Sequence, residues 1–194
     1  MIRIALLRHG HTAWNRAGRI QGRTDVPLDE DAIAQLSTLA LPADWPESAL
    51  WSSPLSRAVD TARLVAGRNP MTDPALTEMN WGDWEGQHAA SLYEDRNSDY
   101  RHLETWGWHY TPPNGESPDA LRARLIPWIN ARTEDTVTVC HIGVMRVILA
   151  MATGWDFDRP APFQIKRNRL YVVEVTENGL MLQPEPVRLV EQSP

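Results

Sequence analysis

Two short strands that each run straight into a histidine constrain this chain more than any other feature. Ile2–Leu7 is almost wholly aliphatic and ends in Arg8-His9-Gly10; Thr136-Val-Thr-Val-Cys140 is β-branched and ends in His141. A short, continuous apolar or β-branched run reads as a buried strand. Behind the second strand, Val144–Thr153 reads as a helix with Gly154 at its C-cap. Ligands of open α/β sheets bind beyond the carboxyl ends of strands, so both histidines stand where such a ligand would lie.

The remaining elements follow from spacing and punctuation. Polar residues 8–29 predict a long functional loop. Asp29–Leu41 predicts a helix stopped by Pro42, with Ile33, Leu36, Leu39 and Ala40 on its apolar side. Leu50–Ser52 predicts a strand, and Ser53-Pro54 an N-cap with proline opening a helix that Gly67 closes, which puts Arg57 in its first turn. A strand over Met71–Leu76, a loop over Glu78–Gly86 and a helix over Gln87–Arg96 come next. Ser117-Pro118 opens a helix to Arg132, and Asn178-Gly179 joins Leu170–Val175 to Leu180–Leu182 as a hairpin. Strands alternating with helices predict an α/β three-layer sandwich, its central sheet mainly parallel with one antiparallel edge, as a single domain over residues 1–194.

Several functional classes are disfavoured at this stage. A net charge of −6 argues against a general affinity for nucleic acid, which needs clustered Lys and Arg. Residues 1–7 lack the length and cleavage site of a signal peptide, and Arg146 breaks the apolar run 144–152 far short of the roughly 18 residues of a membrane span. Cys140 is the single cysteine, so a reducing compartment, the cytoplasm, is expected. No Cys/His spacing matches a metal site, and neither metal nor cofactor is expected. His9, His141, Arg8 and Arg57 instead form a set suited to phosphate: guanidiniums bind two oxygens at once, and a neutral imidazole is a competent nucleophile near pH 7.

Five segments in order carry a resemblance. Leu6-Leu7-Arg8-His9-Gly10-His11-Thr12-Ala13-Trp14-Asn15 with Gly18–Gly22 is followed by Ser52-Ser53-Pro54-Leu55-Ser56-Arg57-Ala58, Leu76-Thr77-Glu78-Met79 with Gly82-Asp83-Trp84-Glu85-Gly86, Pro113–Ser117, and Val139-Cys140-His141-Ile142-Gly143. Together they resemble the histidine phosphatase (phosphoglycerate mutase-like) superfamily, in particular its small bacterial phosphatases. The resemblance implies hydrolysis of a small-molecule phosphomonoester. His9 would accept the phosphoryl group, Arg8, Arg57 and His141 would hold it, and Glu78 would be the proton donor, with Asp83 and Glu85 as other candidates for that role. Asn15, Gln21, Gly22 and Ile142 would contact the substrate. Mutase-type phosphoryl transfer and a non-catalytic phosphoester-binding module are the alternatives; a homodimer is compatible with the sequence.

Three residues depart from the pattern: His11 for Glu or Gln, Cys140 for Ser, and Ile142 for Gly. A β-branched residue after His141 resists positive φ, so turnover slower than in relatives is expected. His88, His102 and His109 read as surface or rim residues, and Cys140 as a core residue turned away from His141. Trp81, Trp84, Trp106 and Trp108 suggest aromatic walls around the pocket and a substrate with an aromatic or extended organic part.

Overall fold

The computed structural model describes residues 1–45 and 47–192. In chain order its elements are β1 (Ile2–Arg8), α1 (Ala13–Arg16), α2 (Glu30–Leu36), β2 (Leu39–Ala40), β3 (Ala49–Ser52), α3 (Ser56–Ala66), β4 (Met71–Thr72), α4 (Ala89–Glu94), α5 (Pro118–Asn130), β5 (Thr136–Cys140), α6 (Ile142–Thr153), β6 (Arg169–Thr176), β7 (Gly179–Leu182), β8 (Val187–Arg188) and β9 (Val190–Glu191).

The main sheet runs β4-β3-β5-β1-β6-β7, with β8 also on β6. Strands β4, β3, β5 and β1 pair in parallel, and β6 runs against β1, β7 and β8. The reversed strand therefore lies inside the sheet, not at the edge the hairpin pattern suggested. Side chains of β1 alternate between two cores. Ile4 and Leu6 join Leu121, Leu125, Val144 and Ile148 of α5 and α6, while Ala5 and Leu7 join Ala32, Leu36, Ala58 and Ala62 of α2 and α3. Period-two alternation on a sheet covered on both faces gives the three layers.

Local expectations fail where a distant partner intervenes. The helix that opens at Asp29, whose carboxylate caps Ala32 N–H, ends at Leu36. Leu39–Ala40 pairs with Val190–Glu191 instead of continuing it. The loop after β1 contains α1, held by a capping box between Thr12 and Asn15. Only Met71–Thr72 is strand before a 3-10 turn at Pro74–Leu76, capped by Asp73. Ser53-Pro54 does not open α3: the helix starts at Ser56 with Leu55 at the N-cap, and Ser53 is used elsewhere. Helix α6 begins at Ile142, two residues earlier than the apolar pattern, with His141 as its N-cap. Gly67 and Gly154 end their helices at φ 64° and 67°, the left-handed geometry glycine adopts without strain.

Candidate active site

Parallel pairing of β1 with β5, in a register that sets Arg8 opposite Cys140, releases His9 and His141 side by side at the carboxyl end of the sheet. The His9 N–H donates to the Cys140 carbonyl at 3.0 Å, and the two ring centroids are 5.1 Å apart. Nδ1 of His9 lies 2.6 Å from the Gly10 carbonyl, which can only accept, so Nδ1 carries the proton and Nε2 keeps its lone pair. Burial, then the charges of Arg57 and Arg8, hold the His9 pKa well below the ordinary histidine range. The ring is neutral at pH 7, as a nucleophile requires.

His141 is fully buried and its Nε2 is 2.7 Å from Ser53 Oγ. That hydroxyl oxygen also accepts from Leu55 N–H at 3.3 Å and keeps a second lone pair, so it can serve either tautomer of the ring, while Nδ1 has no partner among the described residues. Arg57, also fully buried, donates through Nη1 to Thr24 O at 2.9 Å and through Nη2 to Gly22 O at 2.6 Å. These bonds fix the guanidinium but leave its Nε without a partner. Arg8 Nε and His141 Nδ1 are likewise buried with no partner among the described residues. Unsatisfied buried polar atoms are rare in proteins, and here two belong to guanidiniums, Arg8 and Arg57, whose charges act on both the His9 and the His141 ring.

Glu78 reaches the same place from the loop after the Pro74–Leu76 turn. Its carboxylate accepts from Met79 N–H at 2.8 Å and from Gly143 N–H at 3.1 Å, capping the first turn of α6, which has no side-chain cap of its own. Burial raises its pKa against those two hydrogen bonds, so the acid form persists to higher pH than in an exposed glutamate. The two other carboxylates are committed elsewhere. Although burial opposes it, bonds from Thr24 and Arg23 hold Glu85 below the ordinary range, and Asp83 is exposed and accepts from Asn114.

A cleft of about 330 Å³ opens over these groups, lined by Arg8, His9, Asn15, Gln21, Glu78 and Ile142, among others. The amide oxygen of Asn15 accepts from Thr12 N–H and Arg167 Nη2, which leaves its NH2 as the free donor. Gln21 accepts from the Thr12 hydroxyl at 2.5 Å. Gly22 stands behind Arg57, where a Cβ would come within 2.2 Å of Glu85 Oε1, so only glycine lets that loop pack. Ile142 is the first residue of α6 and is not among the positive-φ residues, so the backbone strain expected of a β-branched side chain there does not arise. Of the four tryptophans, Trp81 reaches the cleft, joined by Tyr100; Trp84 and Trp106 pack in the core, and Trp108 packs under Arg122. The aromatic wall is therefore one indole and one phenol. Cys140 is buried on the α5/α6 side, where burial pushes its thiol pKa up; His88, His102 and His109 are exposed.

Among the cleft residues that the sequence does not single out are Arg167, Arg146 and Tyr100. Arg167 precedes β6 and donates to His9 O at 3.1 Å as well as to Asn15; burial and the Arg8 charge bring its pKa down to about 9. No local pattern marks it. Arg146 does have a signal: it is the only charged residue of α6, four positions after Ile142 and so on the same face.

Glycine at 143 is a steric requirement, because a Cβ there would stand 2.3 Å from Glu78 Oε1. With Glu78 in the proton-donor role that the sequence resemblance implies, Gly143→Ala is expected to displace the carboxylate and lower kcat by about 10²-fold, the usual scale for a misplaced general acid, with little change in phosphate affinity. Steady-state kinetics with inorganic phosphate as inhibitor separate the two effects. An unchanged kcat would show that Glu78 need not hold this position.

A mainly parallel sheet that brings two histidines and a cluster of arginines to its carboxyl end defines a phosphate-handling enzyme. The chain belongs to the histidine phosphatase superfamily, branch 1, whose family model matches residues 4–184. It is 34% identical over 171 residues to adenosylcobalamin/alpha-ribazole phosphatase of Salmonella typhimurium, covering 80% of this chain and 85% of that one. A phosphoglycerate mutase structure from Thermus thermophilus superimposes with a TM-score of 0.76 at 30% identity, covering 98% of this chain and all of the other. A putative alpha-ribazole-5'-P phosphatase from Escherichia coli superimposes equally well, TM-score 0.76, at 24% identity over 99% of both chains, a likeness of fold. The protein is a phosphatase of a small phosphomonoester.

Proposed function

We propose that residues 1–194 act as one catalytic domain that hydrolyses the phosphomonoester through a phosphohistidine on His9. Nε2 of His9 forms a bond to phosphorus as the ester P–O bond breaks, and Glu78 gives its proton to the departing oxygen. Water then attacks phosphorus, returns a proton to Glu78 and breaks the P–N bond. Arg8, Arg57 and His141 hold the equatorial oxygens, Asn15 adds a neutral donor, and Gln21, Gly22 and Ile142 shape the surrounding wall. The observation that carries this reading is the set of buried nitrogens without a protein partner, Nε of Arg8, Nε of Arg57 and Nδ1 of His141, beside an imidazole whose Nε2 is free. The name of the Salmonella relative makes a phosphate ester of the α-ribazole type the first substrate to try. A lone buried cysteine supports the cytoplasm as the compartment.

Brief mixing with a ³²P-labelled monoester, followed by denaturation, is expected to leave label on the protein that survives base and is lost in acid, the behaviour of a phosphoramidate. Label formation and turnover should both persist in a chelator, since no step is assigned to a metal. Turnover without label, or turnover lost to chelator and restored by a divalent ion, would refute the scheme. Isomerisation of a phosphorylated sugar acid, stimulated by a bisphosphate and faster than phosphate release, would favour mutase chemistry instead.

A further inference from the structure

Arg146 is not used by the chemistry proposed above. Helical spacing turns it with Ile142 toward the cleft, which both line next to Trp81 and Tyr100. It is partly buried, yet among the described residues its guanidinium makes no hydrogen bond or ion pair. Withdrawing a charge from water without a partner is costly, so a position of this kind is retained where something other than packing needs the charge. Neighbouring charge makes the point sharper. The guanidinium of Arg146 interacts with Glu78 and with Arg8, and Arg8 in turn with Arg167. Arg57 has the carboxylates of Asp25 and Glu85 acting on it and Arg167 has that of Asp29, whereas the one carboxyl that acts on Arg146 is Glu78, the group that holds a proton in the proposed scheme. A phosphomonoester with a neutral leaving group leaves Arg146 without an anion.

Position identifies which part of the substrate would supply the missing charge. Arg146 lies on the Glu78 side of the cleft, where the leaving group departs. Arg146 and Ile142 also wall a second cavity of about 220 Å³, whose other lining includes Leu103, Phe163 and Ile165. A leaving group that extends past Glu78 meets a cation first and an apolar surface next.

We infer that Arg146 is a specificity-determining residue that pairs with an anionic substituent, a carboxylate or second phosphate, on the leaving-group portion of the substrate. The inference rests on the proposed role of Glu78 as leaving-group acid. Its test compares 4-ethylphenyl phosphate with 4-(carboxymethyl)phenyl phosphate, esters of similar shape and leaving-group acidity that differ in one charge. The wild-type enzyme is expected to favour the anionic ester by about tenfold or more in kcat/KM, mostly through KM, the scale of a charge-assisted hydrogen bond. Arg146→Met should bring the ratio to about one, and Arg146→Lys, which keeps charge but not the fork, should fall between. The corresponding pair with a phosphonomethyl in place of the carboxymethyl group tells whether a carboxylate or a phosphate-type dianion is preferred.

A ratio near one in the wild type, or one unchanged by Arg146→Met, overturns the inference. If both esters still label the protein on histidine, the proposed hydrolysis stands without it. An equal loss of kcat on both esters, with the alkaline limb of the pH profile moved upward, would mean that Arg146 acts through Glu78 and also overturns it. Should neither ester turn over, calorimetric binding of the two compounds to His9→Ala reads the same charge preference and decides the matter separately from catalysis.

Discussion

Replacing His9 with alanine is expected to lower kcat by about 10⁴-fold or more, the scale seen when a covalent nucleophile is removed, and to abolish the acid-labile label. The two nearest alternatives are less well placed. Nε2 of His141 is engaged by Ser53 Oγ, and the Cys140 thiol is buried in the opposite direction with its pKa pushed up. Phosphate binding should survive, because Arg8, Arg57 and His141 do not depend on the His9 ring for their positions; Arg57 is held by Gly22 and Thr24, and His141 by Ser53. The measurement is kcat alongside vanadate affinity. A variant within tenfold of wild type would rule out His9 as the phosphoryl acceptor, whereas loss of both quantities would point to a collapsed site.

Arg57→Leu carries the second large effect. Arg57 is buried, and two of its nitrogens hold the carbonyls of Gly22 and Thr24. Its loss removes one oxygen-binding cation and also frees the loop that carries Gln21 and Gly22. A fall in kcat/KM of about 10³-fold is expected from the missing transition-state contact. The buried Gly22 carbonyl left without its donor adds a destabilisation of about 1–3 kcal/mol, visible as a lower Tm, whereas Thr24 O keeps the Val26 N–H. Arg57→Lys separates the two roles: it restores charge but cannot bridge both carbonyls, so part of the activity should return while Tm stays low. Vanadate affinity unchanged in Arg57→Leu would remove this residue from the phosphate site.

The residues proposed for the chemistry could be singled out in the sequence because the patterns that mark them are local. An aliphatic run followed by Arg-His-Gly, and a β-branched run followed by His, mark strand ends whatever the rest of the chain does. The residue types at 8, 9, 57, 78 and 141 are those that phosphoryl transfer requires. Several helix limits were not legible. The end of α2 depends on β2 pairing with β9, at the far end of the chain, and the Ser53 hydroxyl meets Leu55 N–H, ahead of the helix, and the distant His141 ring. Arg167 was invisible because an arginine in a connecting segment has no pattern, and its significance lies wholly in reaching His9 and Asn15 across the fold.

Apolar periodicity and side-chain chemistry suffice for the α/β class, the two histidine-bearing strand ends and the charge types that a phosphate ester needs, all of which can be read along the chain. Folding was required to make β1 and β5 neighbours, to set the Ser53 hydroxyl against the His141 ring and to bring Glu78 to the start of α6 beside it. It also left Arg146 as a cation without a protein partner among the described residues. The division is one of range: propensity and periodicity act over a few residues, whereas hydrogen-bond satisfaction, desolvation and charge pairing are set by groups that meet only once the sheet has formed.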